Sequence, residues 1–142
     1  VREPVSRLYS AYCYAVAGGN GLGDDLALQH HITKNAEDFN SFVLNVLDDG
    51  LMMQHELFMP QYLFIYDRQL NCKVDALLNY EKLPEEWEAM ASSRGWPQTL
   101  PHVNRSSERE ASEQKAARFH LNDKALAKVE SLYRQDFELL GY

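Results

Sequence analysis

The sequence predicts an α/β architecture with a central parallel sheet, of which these 142 residues form a mostly helical part with two or three short strands. Three observations predict it. Several stretches repeat apolar residues at spacings of three and four, which is the helical period. Two short apolar runs bounded by polar residues fit buried strands. Helical stretches lie on both sides of these candidates, and strands alternating with helices across the intact protein would make it α/β.

Taken in order, Pro4 to Val16 places Val5, Leu8, Tyr9, Tyr12, Cys13 and Val16 at helical spacing. Pro4 suits a first turn, because its missing N–H would have no partner there. Cys13 reads as a small buried hydrophobe within this pattern. The run stops at Gly18 and Gly19, and GGNGLGDD reads as a flexible loop. Leu26 to Ile32 is short and ambiguous. NAEDFNSFVLNVLDDG puts Phe39, Phe42, Val43, Val46 and Leu47 on one helical face, with Asn35 or Asp38 at its start and Gly50 past its end. LDDGL, at Asp48 to Gly50, lacks the alternating oxygen ligands of a calcium loop and is assigned to that helix's C-terminus.

The strand candidates are YLFIYD, Tyr62 to Asp67, and VDALLNYE, Val74 to Glu81, for which periodicity alone does not exclude helix, with RQLNC as the turn between them. LPEEWEAMASSRG reads as a helix opening on Pro84 and two glutamates, whose charge complements the helix dipole, and stopping at Gly95. WPQTLPHVNRSSEREASEQKA is a long polar loop or lid. The closing stretch, NDKALAKVESLYRQDFELLGY, carries Leu126, Val129, Leu132, Tyr133 and Phe137 on one face behind Asn122 as cap. No repeat interrupts the chain, and residues 1–142 read as one domain.

Composition narrows the function. A hydrophobic content of 45% suffices for a sizeable core, and a net charge of −7 excludes a general nucleic-acid binder, which needs a basic footprint. A polyanionic ligand would have to be met locally. Cys13 and Cys72 have no CxxC spacing, and the adjacent His30 and His31 do not face one way, so no metal site is expected. No apolar stretch is long enough to span a bilayer. The glycine cluster fits neither the Walker nor the GxGxxG register, and Asp24 and Asp25 would repel phosphate.

VREPVSRLYSAY is more informative. Arg2 sits just before the proline-started helix and Ser10 lies about two turns in. An Arg fork, a Ser hydroxyl and the free N–H groups of a helix N-terminus together could hold one phosphate. Spacing alone favours solvent-facing Arg2 and Arg7 with Ser10 as an ordinary helical residue.

Read in order, the segments resemble the sulfotransferase family, in its carbohydrate-type, Golgi-like and membrane-associated branch. VREPVSRLYSAY resembles the 3′-phosphate-binding segment, with Glu3 in place of the usual Asp. HELFMPQYLFIYD is similar to the His-x-x-x-x-Pro-Gln segment, with Glu56 where an aromatic often follows the His. VDALLNYEKL resembles the strand ending in Glu and Leu, LPHVNRS the late Asn-x-Ser loop, and LYRQDFELLGY the closing Tyr-x-x-Asp-Phe segment. The Pro-Lys-x-Gly-x-Thr/Ser loop that grips the 5′-phosphosulfate does not occur, so the resemblance implies the C-terminal portion of a P-loop-type sulfotransferase domain.

The resemblance implies transfer of a sulfuryl group from 3′-phosphoadenosine 5′-phosphosulfate to an acceptor hydroxyl, that of a saccharide, without a metal. It assigns the 3′-phosphate to Arg2 and Ser10, with Arg7 assisting or packing against acidic residues. Asn104, Arg105 and Ser106 belong by resemblance to a loop closing over the nucleotide. His55 is the remaining candidate for a base or acceptor contact, against the alternative of a structural histidine bonded to backbone. Tyr133, Asp136, Phe137 and Tyr142 read as packing that closes the fold. A homo-oligomer is compatible with the sequence, and a cytoplasmic bacterial-type enzyme is expected ahead of a Golgi-lumenal one. Two rival readings stay open: a non-enzymatic helical interaction domain, and a kinase-like nucleotide-binding protein whose magnesium-binding acid would be Asp67.

Overall fold

The computed structural model describes residues 1–100 and 121–142. The described residues are mostly helical. Helix α1 (Pro4–Val16) packs on α2 (Gly23–Asn35), and α2 packs on α3 (Phe39–Asn45). α4 (Asp49–Gln54) and the short α5 (Tyr62–Ile65) follow, then a 3₁₀ turn at Tyr80–Lys82 running into α6 (Leu83–Arg94). The last two helices, α7 (Asp123–Leu132) and α8 (Arg134–Leu140), return to pack on α3 and α5 respectively.

One core joins these helices. Val5, Leu8, Ala11 and Ala15 are the core positions of α1, at spacings of three and four, and they join Leu28 and Ile32 of α2. A run of aromatic rings continues the core: Tyr12 lies 5.1 Å from Phe42, and Phe42 5.3 Å from Phe58. Ala125, Val129 and Tyr133 close it from the far end of the chain.

Caps explain most helix ends. Asp38 starts α3 with a capping box, its carboxylate accepting from the Ser41 N–H at 2.7 Å. Asn122 caps α7 by accepting from Ala125, as its sequence position suggests. Gly95 ends α6 in the left-handed conformation, φ 67°, which a residue without Cβ adopts freely. The stretch left ambiguous before Ile32 is helical, with Asp24 and Asp25 in the first turn of α2.

Several expectations are corrected. Asp48 and Gly50 do not finish α3; Asp48 caps the next helix, its carboxylate accepting from Leu51, and Gly50 lies inside α4. A carboxylate serves a helix start better than a helix end, which decides the ambiguity. Cys13 is half-buried rather than buried. The closing helix breaks at Tyr133, whose hydroxyl donates to the Phe58 carbonyl at 2.6 Å.

The largest correction concerns the strands, none of which forms among the described residues. Tyr62–Ile65 is helical because its first N–H groups are taken by a carboxylate far along the chain. Asp136 accepts from the N–H of Gln61 and of Tyr62, each at 2.8 Å. Beyond it RQLNC does make a turn: Asp67 accepts from Gln69 and Asn71, and Tyr66 bridges Cys72. Val74 to Asn79 has no regular structure. Its end pairs with Val1, whose amino group donates to the Leu78 carbonyl (2.6 Å) and whose carbonyl accepts from Tyr80 (2.7 Å). That alternation is the pattern of a parallel pair, one rung long. The central parallel sheet is therefore not seen among these residues.

Two outcomes follow. Asp136→Asn sets an amide N–H against one of two buried backbone donors and should lower stability by about 1–3 kcal/mol in urea denaturation. Ser41 holds the Asp38 carboxyl below the usual carboxylate range through its N–H and hydroxyl. Because that folded-state pKa is depressed, the cap stabilises above the unfolded carboxylate value and is lost as pH falls through the folded one. Asp38→Ala should therefore destabilise by about 1 kcal/mol at neutral pH and by less in acid, measured by denaturation across that range.

Candidate functional site

Three elements converge on the entry to α1. Every backbone polar group from Val1 to Glu3 has a partner. Besides the Val1 pair, the Arg2 N–H donates to Gln61 Oε1 (2.9 Å) and the Arg2 carbonyl accepts from Gln61 Nε2 (2.7 Å). The Glu3 N–H donates to Glu81 Oε1 at 2.9 Å and its carbonyl accepts from Arg7 at 2.9 Å. Tyr142 donates to the same Glu81 carboxylate and to Asn79, tying the last residue to this junction.

Glu3 caps α1, its carboxylate accepting from the Ser6 N–H at 2.6 Å. The expectation that free N–H groups at this helix start would receive a phosphate is thereby revised. Glu3 already neutralises that end, and an anion here has to be held by side chains.

Those side chains are in place. Arg7, Ser10 and Tyr14 repeat at three and four along one face of α1 and, with Arg2, line an open cleft of about 480 Å³. Glu56 and Leu57, from the segment after α4, complete its lining. Arg2, Arg7 and Ser10, singled out from the sequence, are thus brought together.

Their states differ. The Arg2 guanidinium lies 4.6 Å from the Tyr80 ring centroid, a cation–π contact, and its Nε donates to Ser6 Oγ at 3.1 Å. The Arg7 guanidinium and the Ser10 hydroxyl make no hydrogen bond among the described residues. Burial pushes the Arg7 pKa down, and the nearby Tyr133 and Asp136 partly offset this. A guanidinium remains protonated through such a shift, so the cleft carries two cations in a chain of net charge −7. Glu56 is the opposing charge in its lining.

The remaining candidates lie elsewhere. His55 is the half-buried C-cap of α4; its neighbour Glu56 reaches the cleft lining and His55 does not. Asn104, Arg105 and Ser106 lie outside the described residues. Asp67 is committed to its turn and to a 2.8 Å ion pair with Lys73. Among the described residues no cluster of His, Cys, Asp or Glu could hold a metal ion, and no helix is long and apolar enough to cross a membrane.

The sulfotransferase family model matches residues 1–142. The chain belongs to the sulfotransferase family. No curated protein and no solved structure matches it. Membership brings sulfuryl transfer as the general activity, and it agrees with the resemblance read from the ordered segments.

Sequence reasoning missed two members of this sulfotransferase's cleft region. Tyr80 was assigned to a strand, and its ring under Arg2 has no local signal. Gln61 has no role that the Pro-Gln segment itself reveals; a polar side chain between Pro60 and an apolar run is the available hint. Glu3→Ala should remove the α1 cap and lower stability by about 1 kcal/mol, readable in chemical denaturation.

Proposed function

We propose that this sulfotransferase uses 3′-phosphoadenosine 5′-phosphosulfate as donor, and that the cleft along α1 receives the donor's 3′-phosphate. The supporting observation is that Arg7 and Ser10 face the cleft beside Arg2 with their hydrogen-bonding groups unengaged by the described residues. A partly desolvated guanidinium without an acceptor is costly unless an anion completes it. The planar forks of Arg2 and Arg7 suit phosphate oxygens, and the Ser10 hydroxyl adds a rotatable donor.

In this reading the donor supplies the sulfuryl group, and these residues bind and orient one end of it. Fixing the 3′-phosphate orients the nucleotide and so aligns the sulfur for in-line attack by the acceptor hydroxyl, an effect of positioning. The acceptor is proposed to be a saccharide hydroxyl, in keeping with the carbohydrate-type resemblance. Glu56 is, among the described residues, the one carboxylate in the lining of the proposed phosphate site and disfavours further anions on its side. His55 remains the candidate base, one residue from the lining.

Calorimetry on the full-length protein tests this with adenosine 3′,5′-bisphosphate and adenosine 5′-monophosphate, which differ in the 3′-phosphate alone. The bisphosphate should bind more tightly. Arg2→Ala and Arg7→Ala should each weaken it by roughly 10- to 100-fold, the range of a charge-assisted hydrogen bond, and leave the monophosphate nearly unchanged. Equal affinity for the two nucleotides would overturn the assignment, and a magnesium-dependent preference for ATP would favour kinase-like chemistry instead.

A further inference from the structure

Two backbone hydrogen bonds set where Arg2 projects, and both come from one side chain. Gln61 Oε1 accepts from the Arg2 N–H at 2.9 Å, and Gln61 Nε2 donates to the Arg2 carbonyl at 2.7 Å. The carboxamide thus copies a strand neighbour, offering acceptor and donor side by side as a peptide group does. No other side chain of similar length does this at neutral pH: Glu lacks the donor and Met lacks both.

Gln61 is itself fixed from behind. Its N–H donates to Asp136 Oδ2 at 2.8 Å, the adjacent Tyr62 N–H donates to Oδ1 at 2.8 Å, and Asp136 is fully buried. The sequence separations are long, 59 residues from Arg2 to Gln61 and 75 from Gln61 to Asp136. The three residues form a relay from the closing helix to the cleft. Pro60, buried just ahead of Gln61, restricts the same backbone.

We propose that Gln61 is a positioning residue for 3′-phosphate recognition, holding the backbone from which the Arg2 side chain reaches the cleft, with Asp136 holding Gln61 in turn. This rests on the reading of the cleft given under Proposed function. Gln61 touches no ligand; it acts through Arg2. A merely structural glutamine would affect folding and both nucleotides alike, whereas a positioning residue affects the 3′-phosphate selectively and only while Arg2 is present.

A double-mutant cycle on the full-length protein separates these cases. Gln61→Met keeps length and removes both hydrogen bonds. With Arg2 present it should weaken adenosine 3′,5′-bisphosphate binding about tenfold, the equivalent of two net hydrogen bonds, and change adenosine 5′-monophosphate binding less than about twofold. In the Arg2→Ala background the same change should have no further effect on the bisphosphate. Gln61→Glu, which keeps the acceptor and loses the donor, runs the same cycle should Gln61→Met fail to fold, and it should show the same dependence on Arg2.

Equal losses with and without Arg2, or for both nucleotides, would assign Gln61 a structural role and overturn the proposal while leaving the donor assignment intact. Wild-type protein that fails to distinguish the two nucleotides would remove the donor assignment, and the positioning role with it.

Discussion

The carboxylate of Asp136 is the interaction on which the rest of the structure depends. It is fully buried, and burial alone pushes its pKa up because an ion without water is penalised. The N–H groups of Tyr62 and Gln61 and the charge of Arg7 partly offset that penalty, leaving the carboxyl above its usual range. A buried charge persists only when it is matched in this way. In matching it, the chain fixes α8 against α5, turns Tyr62–Ile65 helical, and sets the backbone of Gln61. Tyr133, three residues earlier, adds a second tie through the Phe58 carbonyl, and burial pushes its phenol up in turn.

From that anchor the constraints run to the cleft. Gln61 passes them to Arg2, and Glu81 and Tyr142 secure Glu3 from the other side. The first three residues hold a single backbone course through side-chain and main-chain bonds contributed by residues 61, 78, 80 and 81. The helix start that might otherwise attract an anion is closed by Glu3. What remains for a ligand is the side-chain surface of α1, where Arg7 and Ser10 stand one turn apart.

In the proposed reading, this division lets an acidic chain offer a site for a polyanion. Net charge governs long-range steering, while recognition at contact depends on local groups in a partly desolvated setting. Two arginines lining one cleft supply that local field. The nearby Asp136 carboxylate sits behind the cleft, where it counters the desolvation of Arg7 without forming a hydrogen bond to it. Arg7 therefore keeps its donors for the cleft, whereas Arg2 rests on Tyr80.

The sequence by itself determined α1, α3, α6 and α7, because their signals are local. Spacings of three and four marked helical faces of α1, α3 and α7, Pro4, Asp38 and Asn122 marked their starts, and Gly95 marked the end of α6. It also brought out Arg7 and Ser10, which stand one turn apart on α1 and so share a face whatever the tertiary fold, and the order of its segments pointed to Arg2 and to the family. Only the tertiary structure decided that Tyr62–Ile65 is helical, that Asp48 opens a helix, that Arg2 lies over Tyr80, and that Gln61 holds Arg2. The physical reason is range. A periodic pattern is legible within a few residues, but a carboxylate that caps a backbone 75 positions away, or an amide that pairs with one 59 away, leaves no trace at the segment it shapes. Short apolar runs are the most exposed to this effect, because their own preferences are too weak to resist a partner supplied by the fold.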